Sequence, residues 1–298
     1  YGREREIEVL LGLFDQVSHG KTDIAMVSGY AGIGKTSLVK EIYKHITTKK
    51  GRFISGKFDQ LHWNVPYSAL IHAFQELVRE LLTERREDLE HWKEELLTVL
   101  GPNGQIIIDV ISNVELIIGS QPPVVDLGPV ESQNRFNLVF RNFIRVFCEK
   151  EHPLVIFLDD LQWVDLATLR LIDLLMTDED MQYFFLIGAY RDNEVDSSHP
   201  LAISLESLKE NGVSIAQVEV EPLGDQHVTH LIADTLSRDQ ESVMTLANLV
   251  VQKTNGNPFF VNQFLTTLYE EDLLIFEAEE REWQWEMPQI QALDITGN

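Results

Sequence analysis

Residues 29–36 read Gly-Tyr-Ala-Gly-Ile-Gly-Lys-Thr, a complete G-x-x-x-x-G-K-[ST] phosphate-binding loop. Its glycines let the backbone wrap closely around phosphate oxygens, with amide N–H groups turned inward. Lys35 can reach the β- and γ-phosphates, and the Thr36 hydroxyl can bind Mg²⁺. The residues expected to contact the nucleotide here are Gly29, Gly32, Ile33, Gly34, Lys35, Thr36 and Ser37. A glycine-rich turn before a helix is the alternative, but the pattern predicts a nucleoside triphosphate site.

Two acidic residues follow a second apolar run. Leu154–Leu158 is typical of a buried strand, and Asp159 and Asp160 come directly after it. Ligands of open α/β sheets bind at the carboxyl ends of the strands. We therefore expect Asp159 to bind Mg²⁺, directly or through water, and Asp160 to act as base or to orient water. Capping of a following helix is the alternative interpretation of the pair.

Arg191 follows the next apolar run, 184–190. It is expected at the same sheet edge as Asp159 and Lys35, where a guanidinium could sense the γ-phosphate. A surface ion pair with Asp192 or Glu194 is the alternative, and the residues alone leave both open.

The elements that must position these residues alternate between strand and helix. Such alternation predicts an α/β fold, with a parallel sheet sandwiched by helices. The predicted strands are 24–27, 52–56, 154–158, 183–189 and 214–220, and the predicted helices are 3–17, 37–43, 67–82, 89–100, 105–117, 136–147 and 166–176. After Pro222-Leu223-Gly224, three helices are expected at 227–236, 240–254 and 258–271, followed by two short strands, 273–276 and 283–285, around a charged turn at 277–282.

Composition excludes some classes of function. The net charge of −24 disfavours nucleic-acid binding, because a phosphate backbone would be repelled on average. Acidic or basic residues interrupt every long apolar stretch, so no membrane span is expected. One cysteine, Cys148, rules out an intramolecular disulfide and suits a reducing, cytoplasmic setting. The first residue is Tyr1, so we expect a piece of a longer polypeptide.

Several motifs occur together in an order that resembles a known family. They are Gly2-Arg3-Glu4, the phosphate loop, Leu158 to Asp165 (Leu-Asp-Asp-Leu-Gln-Trp-Val-Asp), Tyr190-Arg191 and Gly256-Asn257-Pro258-Phe259-Phe260. This set resembles the signal-transduction ATPases with numerous domains (STAND), in the AAA-type or Orc1-like branch. More narrowly, 56–60 and 65–67 resemble the ATPase region of large bacterial proteins, many of them cyanobacterial. Those carry a serine/threonine kinase before this region, and GAF and histidine-kinase domains after it.

The resemblance implies a P-loop NTPase that binds ATP or ADP with Mg²⁺ and switches the packing of its parts. Arg191 would be the sensor arginine, Pro258 would approach the nucleotide from the lid, and Arg3 would lie near the adenine. The implied domains are an N-terminal linker helix (1–21), a nucleotide-binding domain (22–222), a helical lid (223–272) and the start of a winged helix (273–298). The implied partners are flanking kinase and sensor domains of the same polypeptide, with self-association left open. No arginine finger is recognisable.

The leading hypothesis is therefore a regulatory ATPase module that hydrolyses ATP slowly. A non-hydrolysing, nucleotide-bound scaffold is the alternative, because Asp160 stands where fast AAA-type hydrolases commonly have Glu. A DNA-binding initiator-type ATPase fits the Gly-Arg-Glu start but not the acidity. A GTPase is disfavoured since the guanine-reading Asn-Lys-x-Asp motif is missing from the sequence. Kinase activity is expected only of a parent protein.

Overall fold

The computed structural model describes residues 1–61, 65–277 and 281–292, with the side chain of Ala292 excepted. The chain forms two compact units. The sheet unit comprises Val9–Ser28 and Val39–Val218, and the loop–lid unit comprises Tyr1–Glu8, Gly29–Leu38 and Glu219–Asn298. Residues 278–280 of the charged turn predicted at 277–282, and residues 293–298 at the end of the segment 273–298, lie outside the described residues.

The described elements follow the alternation that the sequence predicts as far as residue 219. The strands are β1 (Thr22–Ser28), β2 (Arg52–Lys57), β3 (Leu154–Asp159), β4 (Phe184–Tyr190) and β5 (Ile215–Glu219). The helices are α1 (Glu4–Ser18), α2 (Lys35–Thr48), α3 (Ser68–Leu81), α4 (Arg86–Leu100), α5 (Gly104–Ile108), α6 (Glu115–Ile118), α7 (Pro129–Val146), α8 (Leu166–Met176) and α9 (Pro200–Glu210). None of the helices in the described ranges is long and apolar enough to cross a membrane.

The strands form one sheet in the order β2-β3-β4-β1-β5. The β2–β3, β3–β4 and β4–β1 pairs are all parallel. Lys57 lies opposite Asp159, and Ser28 lies opposite Tyr190. The neighbouring strands therefore end together, and the predicted α/β fold with its parallel sheet and flanking helices is confirmed.

Burial explains why these segments are strands. Every residue of β3 is buried, as expected for a central parallel strand without a polar face. At the edge of the sheet, β2 packs closely against α3 through Gly56, where a Cβ atom would lie 2.1 Å from the carbonyl oxygen of Ala69. Phe74 of α3 packs in turn against Phe140, Phe143 and Phe147.

One prediction about the helices was wrong, and one helix of the sheet unit was not predicted. The segment 105–117 is not one helix: α5 and α6 are separated by Ile111 in a non-helical conformation, with φ −126° and ψ 77°, and by a turn of 3₁₀ helix. Ile106, Ile107 and Ile108 are all buried, so packing on every side decides the backbone path here. The prediction also omitted α9, although Pro200 at its first turn is a usual helix start.

The loop–lid unit has a hydrophobic core of its own. Its helices are α10 (Asp225–Leu236), α11 (Gln240–Thr254) and α12 (Pro258–Glu270), and they bury Val228, Leu246 and Leu268 against one another. An antiparallel pair follows, β6 (Leu274–Glu277) and β7 (Glu282–Trp285), and then α13 (Met287–Ala292), which was not predicted. The interpretation of this last part as the start of a winged helix stays a prediction.

Candidate nucleotide site

The phosphate loop continues directly from the last residue of β1 and runs into α2. Gly29, Gly32 and Gly34 have φ values of 146°, 74° and 102°, which L-residues rarely adopt. A Cβ atom on Gly29 would lie 2.6 Å from the carbonyl oxygen of Val220. Lys35 and Thr36 are the first two residues of α2. Glycines in this backbone conformation before a helix N-terminus suit a phosphate group, so the residues fit a bound nucleotide.

The Lys35 ammonium group is buried and lies against the loop itself. Its Nζ donates to the carbonyl oxygens of Gly29 (2.7 Å) and Tyr30 (2.9 Å). A lysine that folds back over the loop is held close to where its charge is needed. Because an ammonium group carries three N–H donors, Lys35 can contact a phosphate by replacing one or both of these hydrogen bonds, or in addition to them.

Arg3 contacts the same loop from the N-terminal segment. Its guanidinium donates to the carbonyl oxygens of Ile33 (3.3 Å) and Glu221 (2.6 Å). Burial lowers the pKa of Arg3, and the nearby Glu6 and Glu221 carboxylates oppose that shift. Arg3 thus ties the loop to Glu221, which precedes helix α10. Its predicted proximity to the adenine stays a prediction.

The start of α12 also contacts the loop, but through the neighbours of Pro258. Asn257 donates from Nδ2 to the carbonyl oxygen of Ala31 (2.9 Å), and the Phe259 N–H donates to that of Gly32 (3.2 Å). Pro258 occupies the first turn of α12, where its missing N–H costs nothing. A direct contact between Pro258 and nucleotide remains a prediction.

In the sheet unit, Asp159 is the last residue of β3, and both it and Asp160 are buried. Asp160 has a left-handed backbone, with φ 56°. Among the described residues its side chain does not cap the short 3₁₀ helix that follows. It accepts instead from Gln162 Nε2 (2.9 Å) and pairs with Lys57 Nζ (2.9 Å). The helix-cap alternative therefore does not describe Asp160.

Asp160 is held in its ionised form. Burial alone would raise its pKa, but the hydrogen bonds from Gln162 and Lys57, with the charges of Lys57 and Arg191, outweigh burial, so the pKa lies below the ordinary value. The hydrogen bond to Asp160 raises the pKa of Lys57 in turn. A carboxylate stabilised in this way accepts a proton weakly.

Arg191 follows β4 and lies beside the same carboxylate. Its Nε is 3.8 Å from Asp160 Oδ1, its Nη1 is 2.7 Å from Glu194 Oε1, and its guanidinium lies 5.1 Å from the centre of the Trp163 ring. The backbone N–H of Arg191 also donates to Gln162 Oε1 (3.2 Å). Arg191 therefore forms the ion pair with Glu194 that one alternative predicted, and it also lies close to Asp160. The sensor role stays a prediction.

Sequence reasoning missed three residues that hold these groups in place. That reasoning assigned Lys57 no role beyond its place in the segment 56–60 that resembles other proteins. In the structure Lys57 ends β2 and lies in register with Asp159. Gln162 links Asp160 to Arg191 through both ends of its amide. Asn257 precedes a helix-starting proline, and that position predicts a cap but gives no sign of its contact with the loop. No group of three or more His, Cys, Asp or Glu within the described ranges could hold a metal by itself.

The phosphate loop and strands β1, β2 and β3 fall within a segment that known proteins share. Residues 1–187 match the AAA ATPase domain family. The chain belongs to that family. It is 32% identical to hybrid signal transduction histidine kinase G of Dictyostelium discoideum over 100% of this chain and 10% of that protein. It is 21% identical to the peroxide stress-activated histidine kinase mak3 of Schizosaccharomyces pombe, over 95% of this chain and 14% of that protein. The chain thus spans only 10–14% of the length of these two relatives.

Solved structures agree on the fold. The Aeropyrum pernix ORC2 protein, determined in ADPNP–ADP complexes, has a TM-score of 0.53 at 13% identity and covers 98% of this chain and 66% of its own. Cdc6p from Pyrobaculum aerophilum has a TM-score of 0.51 at 12% identity and covers 91% of this chain and 63% of its own. At such identities the likeness shows the α/β fold alone.

Proposed function

We propose that this chain is an ATP-binding regulatory module that switches with nucleotide state inside a multi-domain signalling protein. The observation that carries the proposal is the phosphate loop: three glycines at positive φ, followed by Lys35 and Thr36 at the start of α2. The ORC2 protein, whose fold is similar, was determined in complexes with ADPNP and ADP, and this supports the same chemistry. In this proposal Mg²⁺ is held by Thr36 and Asp159 together with the phosphates.

We further propose that hydrolysis is slow. Attack on the γ-phosphate depends on a positioned water and on charge stabilisation. Asp160 is the residue assigned to the water, yet its carboxylate is already engaged by Lys57 and Gln162, and its pKa is lowered. A weakly basic, restrained carboxylate supports slow turnover, which suits a switch that must persist in one state.

The signalling role rests on the relatives. Both histidine kinases named above carry a similar segment within a much longer chain. We propose that this chain transmits its nucleotide state to kinase and sensor domains of the same polypeptide. The parts that take part are the nucleotide-binding core (22–222), the N-terminal linker helix (1–21), the lid (223–272) and the segment 273–298. Self-association and cytoplasmic localisation belong to the same proposal.

Steady-state ATP turnover tests the chemistry. We expect Lys35→Ala and Asp159→Asn each to lower turnover by about a hundredfold or more, because each removes a charge that acts on the transferred phosphate or its metal. Lys40→Ala is the matched control, since Lys40 is an exposed lysine on the same helix. Turnover that is equal in wild type and both site variants would contradict the assignment.

The restraint on Asp160 also favours a second candidate function, a scaffold that holds nucleotide without hydrolysing it. Chromatography of the nucleotide released from purified protein separates the two. Stoichiometric bound nucleotide with no multiple turnover in the wild type would favour the scaffold. Continuous release of ADP that Asp159→Asn abolishes would favour the slow ATPase.

A further inference from the structure

Every backbone carbonyl of the phosphate loop from Gly29 to Ile33 accepts a hydrogen bond. The first two accept from Lys35, and the next three accept from residues outside the loop: Asn257 to Ala31, Phe259 to Gly32, and Arg3 to Ile33. All of these partners belong to the loop–lid unit. The outer side of the loop is therefore bound to the beginning of α12 and to the N-terminal segment.

The orientation of the peptide groups has a direct consequence. In a planar trans peptide the C=O and the following N–H point in opposite directions. Fixing the Ala31 and Ile33 carbonyls toward Asn257 and Arg3 leaves the N–H groups of Gly32 and Gly34 on the opposite side of the loop. Those N–H groups are the donors that a phosphate needs, so the external contacts preorganise the loop for its ligand.

Asn257 performs two tasks with two different atoms. Its Oδ1 accepts from the Phe259 N–H (3.1 Å) and so caps α12, while its Nδ2 donates to the Ala31 carbonyl (2.9 Å). The turn before Asn257 is held by close contacts with Leu223. Gly256 has φ 70°, and a Cβ atom there would lie 2.2 Å from the Leu223 carbonyl oxygen. The Gly256 carbonyl accepts a hydrogen bond from the Leu223 N–H (2.9 Å). Asn257 is thereby fixed in place against the loop.

We propose that Asn257 is a positioning residue that latches the lid helix α12 onto the phosphate loop and slows nucleotide release. The proposal rests on the nucleotide-binding function proposed above. Nucleotide stabilises the loop conformation that the latch requires, and the latch stabilises the loop conformation that nucleotide requires, so the two effects are reciprocal. The position of α12 is then a readout of loop occupancy.

One isosteric substitution separates the two tasks. Asn257→Asp keeps an oxygen to cap α12, and Asp is as good a cap as Asn. It replaces the donor with a carboxylate oxygen that repels the Ala31 carbonyl. Asn257→Ala removes both interactions. Asp239→Asn is the control for helix capping, because Asp239 caps the neighbouring helix α11 through the Ser242 N–H (2.9 Å) and the reverse single-atom exchange leaves an oxygen for that cap.

The experiment is stopped-flow release of a fluorescent ADP analogue from each variant. We expect Asn257→Asp to speed release by about tenfold, from the loss of one hydrogen bond and the new repulsion, with thermal stability close to wild type. Asp239→Asn should match wild type. If Asn257→Asp releases the analogue at the wild-type rate or more slowly, the latch is refuted. If release is faster in Asn257→Ala but not in Asn257→Asp, Asn257 acts only as a helix cap. Failure of the wild type to bind the analogue would instead refute the nucleotide-binding function.

Discussion

The close approach of β2 to α3 gives the sharpest structural prediction, which is the effect of Gly56→Ala. The added Cβ atom would lie 2.1 Å from the oxygen, 2.6 Å from the carbonyl carbon and 3.1 Å from the Cα of Ala69. All three are backbone atoms, so no side chain can rotate away, and α3 must move by about 1 Å to restore ordinary contact distances. Overpacking of this kind costs about 1–3 kcal/mol, and we expect the upper end of that range.

Urea unfolding measures the cost, and Gly12→Ala is its control. None of the described residues places an atom within 4 Å of a Cβ on Gly12, which lies inside α1, so alanine there should stabilise by about 0.5–1 kcal/mol. Gly56→Ala should also displace Lys57, the next residue, from Asp160. If Gly56→Ala unfolds within about 0.5 kcal/mol of wild type, the close packing of β2 on α3 is refuted.

Two further predictions concern titrating groups. Lys57→Met should lower the free energy of unfolding by only about 0–1 kcal/mol at pH 7, because Lys57 is largely exposed. The pKa of Asp160 is lowered, so this group stabilises the fold only while it is ionised. The difference in stability between wild type and variant should therefore vanish as the pH falls below the ordinary aspartate range. Urea unfolding at several pH values checks this, and equal pH profiles would contradict it. The Tyr67 hydroxyl is hydrogen-bonded to Asn137 and Gln133, and burial raises its pKa to about 12. The neutral hydroxyl therefore stabilises the fold fully below about pH 10, and this stabilisation is lost as the pH rises through about 12. Tyr67→Phe should therefore cost about 1–3 kcal/mol at pH 7 and flatten the alkaline unfolding curve, and an unchanged alkaline midpoint would count against this network.

The sheet, and the positions of the charged residues where its strands end, could be predicted from the sequence because both depend on local patterns. Continuous apolar runs predict buried strands, and the residue after each run, such as Asp159 or Arg191, must emerge where the strand ends. Helix α11 has its predicted bounds, and in the structure Asp239 caps its start and Asn255 ends it in a left-handed conformation.

The parts that sequence reasoning missed depend on contacts between distant residues. Asn257 lies 226 positions from Ala31, and only the folded chain brings its amide to that carbonyl. Lys57 pairs with Asp160 because β2 and β3 are neighbours in register, and strand order is not visible in the sequence. The break at Ile111 has the same origin, because burial on every side overrides a helical preference.

The central claim is that the loop from Gly29 to Thr36 binds ATP. Calorimetric titration of MgATP into wild type, Lys35→Ala and the control Lys40→Ala tests it most directly. We expect saturable one-to-one binding to wild type and Lys40→Ala, and an affinity at least about tenfold weaker for Lys35→Ala, since a charge-assisted contact to phosphate is lost. Equal affinity in all three proteins, or no binding to wild type, would contradict this claim.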